Sequence, residues 1–175
     1  MHRSFLTYRL DQSLVCLFVS FCGITSFLGA LLWQRFGAEP CVLCLVERRI
    51  ILLAGLVALP GVLIRWSFVP TSLPQYCLAL SGFLWAAVSG VLFYHLGIQK
   101  HWFNVPSLCR STSLPLEDSI ETIETFLTQK AQSACDAVEF TFLGHPPTFY
   151  FMLFCIFLLF VCFHFMIKKR NDPPS

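Results

Sequence analysis

Charge is what this sequence has least of. Only 13% of its 175 residues are Asp, Glu, Lys or Arg, against about 25% in soluble domains. The deficit argues against a soluble enzyme, a disordered chain and a nucleic-acid binder. Internal repeats and low-complexity tracts are absent too, and the length suggests one domain rather than several. What fills the space is apolar. Hydrophobic residues make up 56% of the chain, with 19 Phe and 4 Trp, more than a soluble fold of this length could bury. A formal net charge of +2 says little until its distribution is read.

Gaps between charges divide the chain. Asp11 and Arg35 enclose one uncharged run, Arg49 and Arg65 a second, Arg65 and Lys100 a third, and Glu139 and Lys168 a fourth. Pro70 and Pro74 mark a turn near the start of the third, and Pro146-Pro147 punctuates the fourth. A spanning helix needs about 20 mostly apolar residues. Spans are therefore expected near 13–33, 43–64, 74–95 and 147–167, in a single membrane domain covering 1–175. Backbone groups in hydrocarbon must pair internally, so the spans are helices and the fold class is an all-α four-helix membrane bundle.

The second span reaches full length only by including Glu47, Arg48 and Arg49. Charges about one turn inside a membrane helix are costly and flag a functional site. The first span follows Arg3 and Arg9, as a secretory signal would. Its apolar run is longer than a signal core, and no small-x-small cleavage site follows, so it is read as a retained helix.

Basic residues set the orientation. Arg3, Arg9, Arg65, Lys168, Lys169 and Arg170 all fall on one side of a four-span protein. The opposite side holds loops at about 34–42 and 96–146. The longer loop carries more acidic than basic residues. Both termini are therefore expected in the cytoplasm, with both longer loops external. Within the long loop, Ile120, Ile123 and Leu127 recur at helical spacing among acidic residues, so a short amphipathic helix is expected over 117–131.

Nine cysteines form two populations. Cys16, Cys22, Cys77, Cys155 and Cys162 lie inside spans, where a thiol behaves as a small hydrophobe. Cys41, Cys44, Cys109 and Cys135 lie in or beside the external loops, where an even number of cysteines indicates disulfide chemistry. Cys41-Val42-Leu43-Cys44, preceded by Pro40, opens the second helix. Unpaired N–H groups and the helix dipole stabilise a thiolate there. Cys44 lies deeper in that turn and four residues from Arg48, so it is expected to feel both more strongly than Cys41.

Three chemistries compete for these cysteines. A zinc site wants paired ligands, which two isolated loop cysteines and the poorly spaced His101 and His145 do not offer. Purely structural disulfides in a four-span protein are a second reading. A thiol–disulfide relay is favoured, because a structural bridge across C-x-x-C closes too small a loop to add much stability.

These residues resemble the DsbB family of quinone-linked thiol oxidases from bacterial inner membranes. The likeness rests on Pro40-Cys41-Val42-Leu43-Cys44 with Glu47-Arg48, four spans and the loop cysteine pair. His95-Leu96-Gly97-Ile98-Gln99, Pro106 ahead of Cys109, Leu114-Pro115-Leu116 and Phe142-Leu143-Gly144 with Pro146 extend it over nearly the whole chain. Vitamin K epoxide reductase relatives share four helices and a cysteine relay but carry the active C-x-x-C in the fourth helix.

The resemblance implies a quinone-dependent protein-disulfide oxidoreductase that reoxidises a DsbA-like periplasmic dithiol protein. It implies Cys41, Cys44, Cys109 and Cys135 as the redox residues. Cys109 would be attacked by the partner, and Cys135 would then link to Cys41 and free Cys44. Arg48 and His95 would stand near the quinone, ubiquinone or menaquinone, while Glu47 is expected to pair with a nearby base. The implied surroundings are the membrane quinone pool, the lipid bilayer and an external face on the periplasm. A relative serving one dedicated partner and a disulfide-stabilised structural protein are the alternatives.

Overall fold

The computed structural model describes residues 2–36, 40–65, 72–106, 109, 134–138 and 141–171. The expected amphipathic helix over 117–131 lies outside the described residues. Among the described residues four α-helices make up the bundle: α1 (His2–Arg35), α2 (Val42–Ala58), α3 (Leu73–Gln99) and α4 (Pro147–Asn171). Three of them, through Asp11–Arg35, Leu73–Gln99 and Pro147–Ile167, are long and apolar enough to cross a membrane by themselves.

The second span is built differently. α2 stops at Ala58, and a 3-10 segment, Leu59–Arg65, continues it. Pro60 explains the change: it lacks an N–H and its ring crowds the carbonyl one turn back. Seventeen α-helical residues cover about 25 Å, short of the roughly 30 Å hydrocarbon core. The 3-10 segment rises about 2.0 Å per residue and makes up the difference.

α3 is the central helix, packed along both α2 and α4, while α1 leans on α2. The core seam joins Cys16, Val19 and Cys22 of α1 to Ile51, Ala54 and Ala58 of α2. From α3 it takes Leu78, Trp85, Val88 and Leu92, and from α4 Cys155, Leu158 and Cys162. Lipid is as apolar as these side chains, so close approach rather than hydrophobicity holds such helices together, and small residues at the seams permit it. The span cysteines fit that use: Cys16, Cys22, Cys77, Cys155 and Cys162 are all buried and unbonded. Phe21, Phe83 and Phe160 point outward, each more than three-fifths exposed. Among the polar ties that cross the core is one from the Ser81 hydroxyl to the Ala54 carbonyl at 2.9 Å.

α3 runs one turn beyond the expected end at 95. It closes in a Schellman motif, with His101 N–H donating to Ile98 O and Trp102 N–H to Gly97 O. His101 takes the left-handed conformation, φ 59°, that this ending requires. The reversal lays Phe103 over Gly97 and stacks it on Tyr94 at 5.5 Å. It also leads the chain back across the bundle end toward Cys109. Before α4, Leu143 and Gly144 (φ 48° and 79°) turn the chain so that Phe142 and His145 pair.

At Gly23 and Gly55, α1 and α2 approach backbone to backbone. A Cβ on Gly23 would lie 2.8 Å from the Gly55 Cα, and one on Gly55 would lie 3.2 Å from the Ser20 carbonyl oxygen. Backbone cannot yield there as a side-chain end would. Gly23→Val should therefore push α1 off α2 and cost roughly 1–3 kcal/mol. Thermal unfolding in detergent should show the loss, whereas a valine at Gly29, which has open space around it, should not.

Candidate functional site

The site is assembled at the start of α2. Cys41 is the N-cap residue, in extended conformation, and its sulfur accepts the Cys44 backbone N–H at 3.2 Å. Sulfur thus takes the place of the oxygen that usually satisfies this orphan donor. The Cys41 and Cys44 sulfurs stand 2.8 Å apart without being bonded. A disulfide bond is about 2.05 Å long, so less than an ångström of movement separates dithiol from disulfide.

The expectation that Cys44 would feel the helix terminus more strongly is overturned. Cys41 is the residue at which the cap donors aim. Its thiol is held below the ordinary range by the hydrogen bond from the Cys44 side chain, against burial, and with help from the Cys44 N–H. The Arg48 guanidinium does not turn to Cys44 either. It donates to the Gln34 side-chain oxygen of α1 at 2.9 Å. Gln34 was not singled out from sequence; its only signal was an amide at the end of an apolar run.

Behind the dithiol lies a buried pair. Glu47 (7% exposed) and His95 (3% exposed) meet at 2.9 Å, Glu47 Oε1 to His95 Nδ1. Glu47 pairs with a base, in line with expectation, and the base is His95. An ionised carboxylate only accepts, so Nδ1 carries a hydrogen, and in the neutral ring Nε2 keeps its lone pair. Nε2 lies 3.7 Å from the Cys41 sulfur and 3.5 Å from the Gln99 amide nitrogen. The extra turn of α3 matters here, since it sets Gln99 one turn above His95 on the same face.

The loop cysteines reach the same place. Cys109 and Cys135 form a disulfide, with Cα atoms 5.2 Å apart. Cys109 is buried (3% exposed), as is Cys135 (1%). Both pack with Cys41 and Ile98 in one cluster, which Leu43, Cys44 and Val105 flank. Cys135 N–H donates to Cys109 O at 3.1 Å, and the Cys135 backbone also faces the His95 ring. All four loop and cap cysteines, with Glu47 and His95, thus lie at one end of the bundle.

Beside them is a cavity of about 500 Å³. Its walls include Ala30 and Trp33 of α1, Cys44, Arg48 and Ile51 of α2, Leu92 and His95 of α3, Val138 of the loop and Phe151 of α4. It is mainly apolar, with Arg48 as its cation and Cys41 and Cys44 as its sulfurs. A flat, apolar ring bearing polar carbonyl oxygens fits such a lining.

Two cysteine pairs packed in one cluster, at the edge of an apolar cavity and at one end of a helix bundle, suit traffic of electron pairs between protein thiols and a lipid-soluble acceptor. That defines a membrane thiol oxidoreductase. The chain belongs to the DsbB family: residues 12–166 match disulfide bond formation protein DsbB. None of the curated proteins compared matches the chain. As a family member it is a multi-pass membrane thiol:quinone oxidoreductase that reoxidises DsbA, with quinone as the electron acceptor.

The cap geometry makes a prediction of its own. Cys44→Ala removes the thiol donor but keeps the backbone N–H, so the Cys41 thiolate loses part of its support. In the fully reduced protein the titration midpoint of Cys41, followed by pH-dependent alkylation and mass spectrometry, should move up. A midpoint that stays or falls would show that the Cys44 side chain does not support the thiolate.

Proposed function

We propose that electrons enter at Cys109–Cys135 and leave from Cys41–Cys44. The observation that carries this reading is the shared cluster of Cys41, Cys109 and Cys135. A thiolate of the reduced, DsbA-like partner attacks the Cys109 sulfur, and Cys135 departs as a thiolate. Cys135 then attacks Cys41 of an oxidised Cys41–Cys44 pair, which releases the Cys44 thiolate. The partner's second thiolate displaces Cys109 and leaves as an oxidised partner. Cys109 next attacks Cys135, which closes that bridge again and leaves both electrons on Cys41 and Cys44.

Quinone, when bound, supplies the two-electron acceptor that lets the Cys41–Cys44 disulfide re-form. The chain's own part is to hold Cys44 at the cavity, to place Arg48 where negative charge grows and to exclude water. His95 and Glu47 stand at the sulfur side of the same space. The acceptor is ubiquinone or menaquinone, and a comparison of the two at equal concentration decides between them. The cysteine end faces the periplasm of a bacterial inner membrane, with both termini in the cytoplasm, as the basic residues at 168–170 and before the first span support. The partner is a general DsbA-like oxidase rather than one dedicated protein; reoxidation of several unrelated reduced dithiol oxidases during turnover tests that choice.

The two pairs should fail differently. Cys109→Ser or Cys135→Ser should abolish oxidation of the partner, while the Cys41–Cys44 pair of the same variant still exchanges electrons with quinone. Cys41→Ser or Cys44→Ser should abolish quinone reduction. Partner oxidation that persists without Cys109 would overturn the order of the relay.

Arg48 should act on quinone and not on folding. A charge-assisted hydrogen bond contributes roughly 1.5–3 kcal/mol, about a 10- to 150-fold effect on quinone binding or on its rate of reduction. Arg48→Ala should show that loss in KM or kcat for quinone with partner saturating. Arg48→Lys should restore it only in part, because the planar fork is missing. Quinone kinetics unchanged in Arg48→Ala would remove Arg48 from the site.

A further inference from the structure

Sequence spacing gave no histidine to the C-x-x-C, but the fold does. Cys41 Sγ, Cys44 Sγ and a His95 ring nitrogen all lie within 4.8 Å of one another. This donor set, two thiolates and an imidazole, is one that zinc takes with water in the fourth position. We propose that the reduced Cys41–Cys44 pair and His95 bind one zinc-class thiophilic cation, and that the oxidised pair does not.

Three features carry the proposal. The first is distance. With Zn–S about 2.3 Å and Zn–N about 2.0–2.1 Å, a tetrahedral site needs S···N near 3.5 Å and S···S near 3.8 Å. Cys41 Sγ to His95 Nε2 is 3.7 Å. The two sulfurs, now 2.8 Å apart, must part by about an ångström, and Cys44 is the one with room, since it is only half-buried and lines the cavity.

The second feature is orientation. Metal-bound histidines almost always donate their remote N–H to a carboxylate or carbonyl, which fixes the ring and strengthens the ligand. Glu47 already receives the His95 Nδ1 hydrogen at 2.9 Å. The third is an open position. The cavity borders Cys41, Cys44 and His95 together, so a water can complete the shell without backbone movement.

The redox dependence follows from the chemistry. A disulfide sulfur offers no thiolate, so the oxidised pair has no ligands to give. Binding to the dithiol displaces both thiol protons: Zn²⁺ forms two Zn–S bonds and one Zn–N bond, and two H⁺ go to solvent. No electron moves. While the metal is held, neither sulfur is free to form the Cys41–Cys44 bond. If the relay is as proposed above, and this consequence rests on that reading, the cation arrests the chain in its reduced state.

The test uses the full chain in detergent micelles, reduced under anaerobic conditions and freed of reductant. Zn²⁺ is titrated against a chromophoric chelator, and Co²⁺ is added separately as an optical probe. One Zn²⁺ per chain is expected, with thiolate-to-cobalt charge-transfer bands and the visible bands of tetrahedral Co²⁺. Oxidation of the pair should abolish both. Glu47→Gln should weaken affinity by about 10- to 100-fold through loss of the ring's carboxylate support. The Cys109→Ser/Cys135→Ser double variant should keep the site, and Cys41→Ser or His95→Ala should lose it.

Absence of stoichiometric metal on the reduced protein would overturn the proposal. So would binding that survives in His95→Ala with intact helical circular dichroism, or that follows Cys109 and Cys135 instead. The readout needs no turnover. Zinc binding by a chain that, when metal-free, reduces no quinone would sink the relay alone, and quinone reduction by a chain that binds no zinc would sink the metal site alone.

Discussion

The contact between Glu47 and His95 is the constraint from which the site is built. Each side chain is polar, nearly fully buried and set on a helix of an apolar bundle. Either alone would be a costly buried group, and removal of one partner strands the other. Together they pin α2 to α3 at 2.9 Å. The same contact fixes the imidazole so that Nε2 faces the Cys41 sulfur. Arg48 follows Glu47 by one residue, about 100° further round the helix, which turns it away from α3, toward Gln34 and the cavity.

Around that pin, backbone features bring in the remaining sulfur. The N-cap puts Cys41 and Cys44 within hydrogen-bonding distance because both answer to the same helix terminus. The Schellman ending of α3 reverses the chain at His101 and starts it back over the bundle. Cys109 and Cys135 then close a disulfide on top of Cys41 rather than out in solvent. A disulfide that must exchange with a buried pair has to be delivered to it, and here the close of α3 does the delivering. The cavity is left where α1 and α4, which touch each other little, fail to fill the space opposite Cys44.

The division of the nine cysteines has the same physical origin. Those in the spans are buried at helix seams, where a small apolar side chain permits close packing. Those at the bundle end sit beside donors, a histidine and one another. Gly23 and Gly55 play the seam role without any side chain, so α1 and α2 approach backbone to backbone.

Much of this was legible in the order of residues. Long uncharged runs can satisfy their backbone only as helices, so the bundle follows from the scarcity of charge. Pro40 and the C-x-x-C mark the start of α2, and the match to the DsbB family gives the chemistry. Other matters rest on contacts between residues far apart in the chain. Pro60 interrupts the α-helix near the end of the second span, but that the chain continues there as 3-10 is seen only in the structure. The identity of the thiol favoured at the helix start depended on which sulfur takes the cap position, and that is Cys41. That Glu47 finds a base could be expected from its depth. That the base is His95, 48 residues on, and that its other nitrogen meets the C-x-x-C, follows only from how α2 lies against α3. Periodicity places side chains on a helix face; which faces meet, and so which donors surround a sulfur, is decided by packing in three dimensions.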